Sequence, residues 1–304
     1  MRKLLFIITL NFSFLYSFSQ GTFIQSGDFP GTERKLCKAE TVGHKGYLML
    51  GFVAGGIRLN EVWEFDEVTS QWTQKNDFPG TSRYDAFTWS INGNIYLGCG
   101  DVGTTCYTDV WKYTPGTDSW VQVADFPGTN ANQYACFTYN NKGYIAFGRI
   151  SCSNNTGTDE FWEYDPIADA WNQLSSAPYP SSWSRAAVVN DKAYFLDENS
   201  TGVFVYDFTT GSWDISWPNA AGPASSVPLF ATNLQGVVHI FNQNYPKFLH
   251  VPSRSWLRGD TMYNSNWHAD MAFMAFSDSV KIIGGSDGSS AFTNDVWTFY
   301  PGCT

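Results

Sequence analysis

The chain has 304 residues, of which 18 are Lys or Arg and 28 are Asp or Glu, giving a net charge of −10. Only 15% of residues are charged while 17% are aromatic, and glycine and proline number 27 and 13; disordered chains show the reverse balance, and helical bundles are rich in Ala, Glu, Lys and Leu. An acidic chain with no Lys/Arg run is repelled by phosphate backbones and anionic lipid, so neither nucleic acid nor a membrane surface is an expected partner, and an all-β, turn-rich globular protein remains.

At the N-terminus, Arg2 and Lys3 precede a largely apolar run from Leu4 to Tyr16. Ser17-Phe18-Ser19 then sets small residues at the −3 and −1 positions of a cleavage site. This predicts a secretory signal peptide over 1–19 and a mature domain over 20–304. The Phe-rich, Gln-ended form fits a Gram-negative bacterial export signal, and cleavage takes two positive charges to leave −12. No later stretch approaches the ~18 apolar residues of a membrane span, and no cysteine follows the leader to carry a lipid. The expectation is an exported protein, in the periplasm, on the cell surface or secreted.

The mature chain repeats itself. Asp-Phe-Pro-Gly-Thr occurs at 28–32, 77–81 and 125–129, and six residues before each of its phenylalanines stands Phe23, Trp72 or Trp120. Nine residues before Trp72, Trp120 and Trp171 stand Trp63, Trp111 and Trp162; Phe204 and Trp213 repeat the spacing, and Phe248 and Trp256 miss it by one. Between the paired aromatics the text alternates and then turns, as in Trp63-Glu64-Phe65-Asp66 and Trp162-Glu163-Tyr164-Asp165-Pro166, which predicts a strand, a tight turn and an outer Trp strand. Upstream of each pair lies an apolar segment ending near glycine, such as Tyr47–Gly51 or Ile95–Gly100, preceded by a polar turn and a further β-like run. One repeat is therefore four short strands, and four-stranded units at this period stack radially into a β-propeller.

The Trp-x-aromatic strand begins at 63, 111, 162, 204, 248 and 297, and the outer strand at 72, 120, 171, 213 and 256, with Phe23 as its remaining copy at the other end of the chain. The predicted architecture is all-β: a six-bladed propeller of four-stranded antiparallel blades, whose last blade is closed by the N-terminal strand. The Thr108-Asp109-Val110-Trp111 and Asn294-Asp295-Val296-Trp297 starts, the Trp-x-Tyr-Asp-Pro strand and Gly284-Gly285 resemble the kelch-repeat β-propellers of the galactose oxidase type, over residues 21–304. Only the last repeat keeps the Gly-Gly pair.

Export makes cysteines 37, 99, 106, 136, 152 and 303 candidates for disulfides. Cys99 and Cys106 flank a Gly/Thr-containing loop and are the expected pair; Cys106 with Cys152, in the matching loop of the next repeat, competes. Cys37 and Cys136 lie in apolar runs, where buried thiols are equally in keeping.

No nucleophile elbow, zinc-type histidine pair or phosphate loop is present among these residues. No two of His44, His239, His250 and His268 stand three to five residues apart, and Asp197-Glu198 can send at most one carboxylate to a given sheet face. The kelch resemblance implies that loops between blades and loops after the second strand share one face, around the mouth of the channel. Aligning the repeats on their hairpins places Arg34, Arg83, Asn132, Ser181, Ser225 and His268 at the start of the inner strand, with Tyr84, Tyr134, Trp183 and Trp267 beside them. Two arginines among hydroxyls and aromatics suit a carboxylate-bearing sugar or an acidic peptide; the competing role for Arg34 and Arg83 is to brace the interblade loops. The expected function is a monomeric, non-catalytic binding module for a protein or glycan ligand, without metal or other cofactor. The resemblance implies two alternatives, a sugar-acting enzyme of the sialic acid mutarotase kind and a copper radical oxidase.

Overall fold

The computed structural model describes residues 21–129, 132–154, 156–182, 184–196, 203–216, 228–234, 237–242, 247–250, 255–258, 270–286 and 291–301, the strands within 228–258 as backbone alone. In chain order, β1 (Thr22–Asp28) precedes a first blade of β2 (Lys38–Val42), β3 (Lys45–Met49), β6 (Val62–Asp66) and β7 (Gln71–Lys75), from whose loop face projects the small hairpin β4 (Phe52–Val53) and β5 (Ile57–Arg58). The second blade is β8 (Phe87–Ile91), β9 (Asn94–Gly98), β10 (Val110–Thr114) and β11 (Ser119–Val123). The third is β12 (Ala135–Tyr139), β13 (Lys142–Ala146), β14 (Phe161–Asp165) and β15 (Ala170–Gln173). The fourth is β16 (Arg185–Val189), β17 (Lys192–Leu196), β18 (Val203–Asp207) and β19 (Ser212–Asp214). A further antiparallel sheet pairs β20 (Pro228–Leu234), β21 (Val237–Asn242), β22 (Lys247–His250) and β23 (Ser255–Arg258). The closing blade joins β24 (Ala272–Ala275), β25 (Val280–Ser286) and β26 (Phe292–Tyr300) to β1. Five blades are thus described with their side chains. The innermost strands neighbour one another in the order β24, β2, β8, β12, β16, β20, which is the arrangement of a propeller around a central channel.

The nine-residue spacing is a hairpin register. Phe65 pairs with Trp72, Tyr113 with Trp120 and Tyr164 with Trp171, so Trp63 and Trp72, being on matching sides of the pleat, share one face. Into that aromatic pair drops the phenylalanine of the preceding Asp-Phe-Pro-Gly-Thr. Phe29 lies edge-on to Trp63 and Trp72 at 5.3 and 5.0 Å, Phe78 to Trp111 and Trp120 at 5.9 and 5.3 Å, and Phe126 to Trp162 and Trp171 at 5.7 and 4.9 Å. The glycine of the motif is needed because a Cβ on Gly31 or Gly80 would come within about 2.5 Å of that same ring. Each of these three interblade layers is therefore an aromatic sandwich, and edge-to-face pairs add about 0.5–1.5 kcal/mol each beyond the area they bury.

Closure through the N-terminus is explicit. Thr22 pairs with Tyr300, Phe23 with Phe299, Ile24 with Thr298 and Gln25 with Trp297, and the rings of Phe23 and Phe299 are 4.7 Å apart. Deleting residues 21–27 from the mature chain removes this strand and leaves β26 an open edge. The expected cost is several kcal/mol, read as a lowered thermal midpoint; an unchanged midpoint would refute a stabilising role for the strand.

Candidate functional site

The loop face is built from the interblade segments that feed the innermost strands and from the loops after the second strands. Isolated bridges tie them together: Lys35 with Phe52, Tyr84 with Asp101, and Asn132 with Arg149. This register corrects one expectation. Asn132 occupies the position of Lys35 and Tyr84, one residue past that of Arg34 and Arg83.

Arg34 and Arg83 are each only 1% exposed. Arg34 donates through Nη2 to Glu61 at 2.6 Å, through Nε to the Thr32 carbonyl at 2.9 Å and through Nη1 to the Leu50 carbonyl at 3.3 Å. Arg83 clasps Asp109 with both terminal nitrogens, at 2.6 and 3.0 Å, and donates to the Thr81 and Cys99 carbonyls. Each guanidinium also lies over its motif phenylalanine, 4.9 Å above Phe29 and 5.2 Å above Phe78. The acids serve the tryptophans as well, since Trp63 Nε1 donates to Glu61 and Trp111 Nε1 to Asp109. These contacts hold Glu61 and Asp109 below the usual carboxylate range against burial, which pushes them up. The arginines are thus engaged inside the wall.

The other expected residues divide in the same way. Asn132, Ser181 and Tyr134 are buried: Asn132 donates to the Asp101 carboxylate, Ser181 shares a hydroxyl hydrogen bond with Ser184, and Tyr134 packs against Phe87 and Phe126. Tyr84 is half-buried at the rim. Trp183, Ser225, Trp267 and His268 lie outside the described residues, as do Asp197 and Glu198.

Sequence reasoning missed a set of ionisable side chains at the throat. Leu36, Asp85, Gln133 and Asp270 each stand two residues before an innermost strand with φ between 53° and 63°. For non-glycine residues this left-handed conformation costs on the order of 1 kcal/mol or more, and it recurs at the same point of four blades. Lys38, which opens β2, interacts with Asp85, Arg185, Cys136 and Asp270. Those partners come from the second, fourth, third and closing blades, so they converge on the channel. Lys38 is half-exposed yet surrounded by protein. That is the condition of a channel wall, and burial lowers its ammonium pKa while Asp85 opposes the shift. Burial raises Asp85, with Lys38 and Arg185 acting against it and a hydrogen bond joining it to Gln133.

Two residues further along β2 stands Glu40, which accepts a hydrogen bond from Thr88 and has its carboxyl pushed up to about 7 by burial. Hairpin registers place Trp89, Phe137, Ala187 and Met274 at the equivalent position of the other described blades. A carboxylate replaces an apolar side chain there. Cys136 lies beside it, its thiol raised by burial and by Glu40. Among the described residues no three metal-type ligands gather, and His44 is exposed, 3.6 Å from Glu67.

The disulfide is Cys106–Cys152, with Cα atoms 5.8 Å apart, and it joins the second-blade loop to the third-blade loop. The expected Cys99–Cys106 pair is overturned. Cys99 is a fully buried free thiol in the layer between the second and third blades, while Cys106 bridges to Asp101 and faces the neighbouring loop. Cys37 and Cys136 are also free. Closing a 46-residue separation, the bridge is expected to stabilise the chain by about 2–4 kcal/mol. Cys106→Ser with Cys152→Ser should lower the denaturant midpoint accordingly, and peptide mapping that finds 106 and 152 as free thiols in the oxidised protein would contradict the pairing.

Among the described residues no helix is long and apolar enough to cross a membrane, and the disulfide is compatible with an oxidising compartment. No family model matches the chain, and no curated protein matches it. Among solved structures, the chain is similar to one titled "Structure of YjhT", with a TM-score of 0.74 and 16% identity over 88% of this chain and 95% of that one. What the two share at that identity is the fold, which here is a β-propeller of four-stranded antiparallel blades.

Proposed function

We propose that the chain is an exported, monomeric kelch-type propeller of six blades, β20–β23 among them, that binds an acidic, hydroxyl-rich ligand of the glycan class at the channel mouth of its loop face. The observation that carries this reading is the convergence of Lys38 and Arg185, from the first and fourth blades, on one throat also reached by Asp85 and Asp270. On a chain of net charge −10, Lys38 and Arg185 are two cations in one throat, and an anion enters where their field outweighs that of Asp85 and Asp270. Gln133 and Thr88, both buried, hold the carboxyls of Asp85 and Glu40 in place in that throat. In this reading Arg34 and Arg83 hold the blades together, and the ligand meets Lys38, Arg185 and the rim around Tyr84.

The alternative, a sugar-acting enzyme, is favoured by Glu40. A carboxyl that titrates near neutrality is suited to exchange protons with a bound hydroxyl. Glycan-array binding by the mature chain tests the first reading: acidic glycans should be retained over their neutral counterparts, less strongly as salt rises. Salt-independent retention of neutral glycans, or none of acidic ones, would overturn it. Release of an altered sugar from a retained ligand, abolished by Glu40→Gln, would decide for the enzyme.

A further inference from the structure

The hairpin β4–β5 pairs Phe52 with Arg58 and Val53 with Ile57 around Gly55 and Gly56, whose φ angles are 85° and 81°. It carries Arg58 across to the second blade. There Nη2 donates to the Val102 carbonyl at 2.8 Å, and the guanidinium lies 5.3 Å from the ring centroid of Tyr84 and 5.9 Å from that of Phe52. The shelf is stepped: Phe52 lies 6.2 Å from both Tyr84 and Phe292, its ring turned 80° to the first and 60° to the second. Tyr84 is hydrogen-bonded to both Arg58 and Asp101.

Arg58 differs from its neighbours in what it lacks. Arg34 and Arg83 are ion-paired at 2.6 Å, and Lys35 is paired with Asp270 at 3.2 Å. Among the described residues no carboxylate lies within 4.0 Å of Arg58, and its Nε–H is buried without an acceptor. An unsatisfied guanidinium donor is costly to leave so, and a planar fork on an aromatic shelf is the usual reader of carboxylates. The hairpin that carries it pairs only two residues with two and is tied back at Phe52 by two backbone hydrogen bonds with Lys35, so its Gly55–Gly56 tip can move for an entering group while the Phe52 end stays fixed.

We propose that Arg58 and the Phe52–Tyr84 shelf form a carboxylate-binding subsite on the loop face between the first and second blades, for a uronic-acid type of sugar whose ring packs against one of these aromatic rings. The inference rests on the reading of this face as a binding face for acidic glycans, and it assigns the residue that reads the acid.

The test is an NMR titration of the mature chain, labelled with ¹⁵N-arginine, using glucuronic acid oligosaccharides and their methyl esters. The Arg58 Nε–H signal is assigned by its loss in Arg58→Lys. The acid should shift that signal and the ester should not. Arg58→Gln should weaken acid binding at least about tenfold with an unchanged melting temperature. The subsite is overturned if the signal stays put under saturating acid, or if Arg58→Gln binds the acid as the unaltered chain does. If amides of β2 around Lys38 move while Arg58 does not, this subsite fails and the loop-face reading stands; if neither moves, both fail.

Discussion

Replacing Arg83 by Met should destabilise the mature chain by about 3 kcal/mol, at the low end of what breaking a buried ion pair costs, because Asp109 keeps 22% exposure. The substitution fills much of the same volume, so the loss comes from what it strands. Asp109 loses two charge-assisted hydrogen bonds, and the Cys99 and Thr81 carbonyls lose their donor. At roughly 2–4 °C per kcal/mol for a domain of this size, the melting temperature should fall by roughly 6–12 °C. Adding Asp109→Leu should return part of the loss, since the uncompensated carboxylate goes, but not all of it, since Trp111 Nε1 then lacks its acceptor. A single substitution that leaves the melting temperature unchanged while abolishing glycan retention would reverse the assignment and make Arg83 a ligand contact.

The repeat text is a readable account of how the blades stack. The spacing of Trp63 and Trp72 is the register of one hairpin, and the motif around Phe29 is the knob for the next aromatic pair, so local sequence and tertiary packing say the same thing. The missing outer-strand aromatic at the C-terminus correctly pointed to Phe23. The channel was harder to read. Aligning repeats on Pro-Gly-Thr drew attention to Arg34 and Arg83, conspicuous cations in a poorly charged chain, whereas their burial and their pairing with Glu61 and Asp109 are tertiary facts. Alignment on the β2–β3 hairpin register would have shown Lys38 where others have Phe87, Ala135 and Ala272, and Glu40 where others have Trp89, Phe137, Ala187 and Met274. Cys106–Cys152 was one of the two pairings the spacing offered, but the choice between them was illegible for a related reason. Whether Cys106 faces Cys99 or Cys152 depends on which way a loop residue turns at the Asp101 bridge, and spacing carries no record of that.

Glu40→Gln should make the protein more stable above pH 7 and leave it unchanged near pH 4.5. In the native chain the Glu40 carboxyl titrates at about 7, raised by burial from an ordinary 4.5. Between those two values the folded protein keeps a proton that the unfolded chain has released. The unaltered protein therefore loses stability as pH climbs through this window, and the loss is complete once the folded group ionises. Over this shift the linkage amounts to about 3 kcal/mol, nearer 2 where channel water reaches the carboxyl. Glutamine has the same shape, still accepts from the Thr88 hydroxyl and cannot ionise, so the variant escapes the penalty. Urea midpoints at pH 4.5, 6 and 8 measure the difference between the two proteins, in which every other titrating group cancels. The gap should open from near zero at pH 4.5 to its full size at pH 8, and parallel profiles would show that Glu40 is an ordinary solvated carboxylate. Met274 demonstrates that the fold accepts an apolar residue at this point of the repeat. On the proposed reading of the channel mouth as a binding face, the same substitution should also remove the pH dependence of acidic-glycan binding near pH 7.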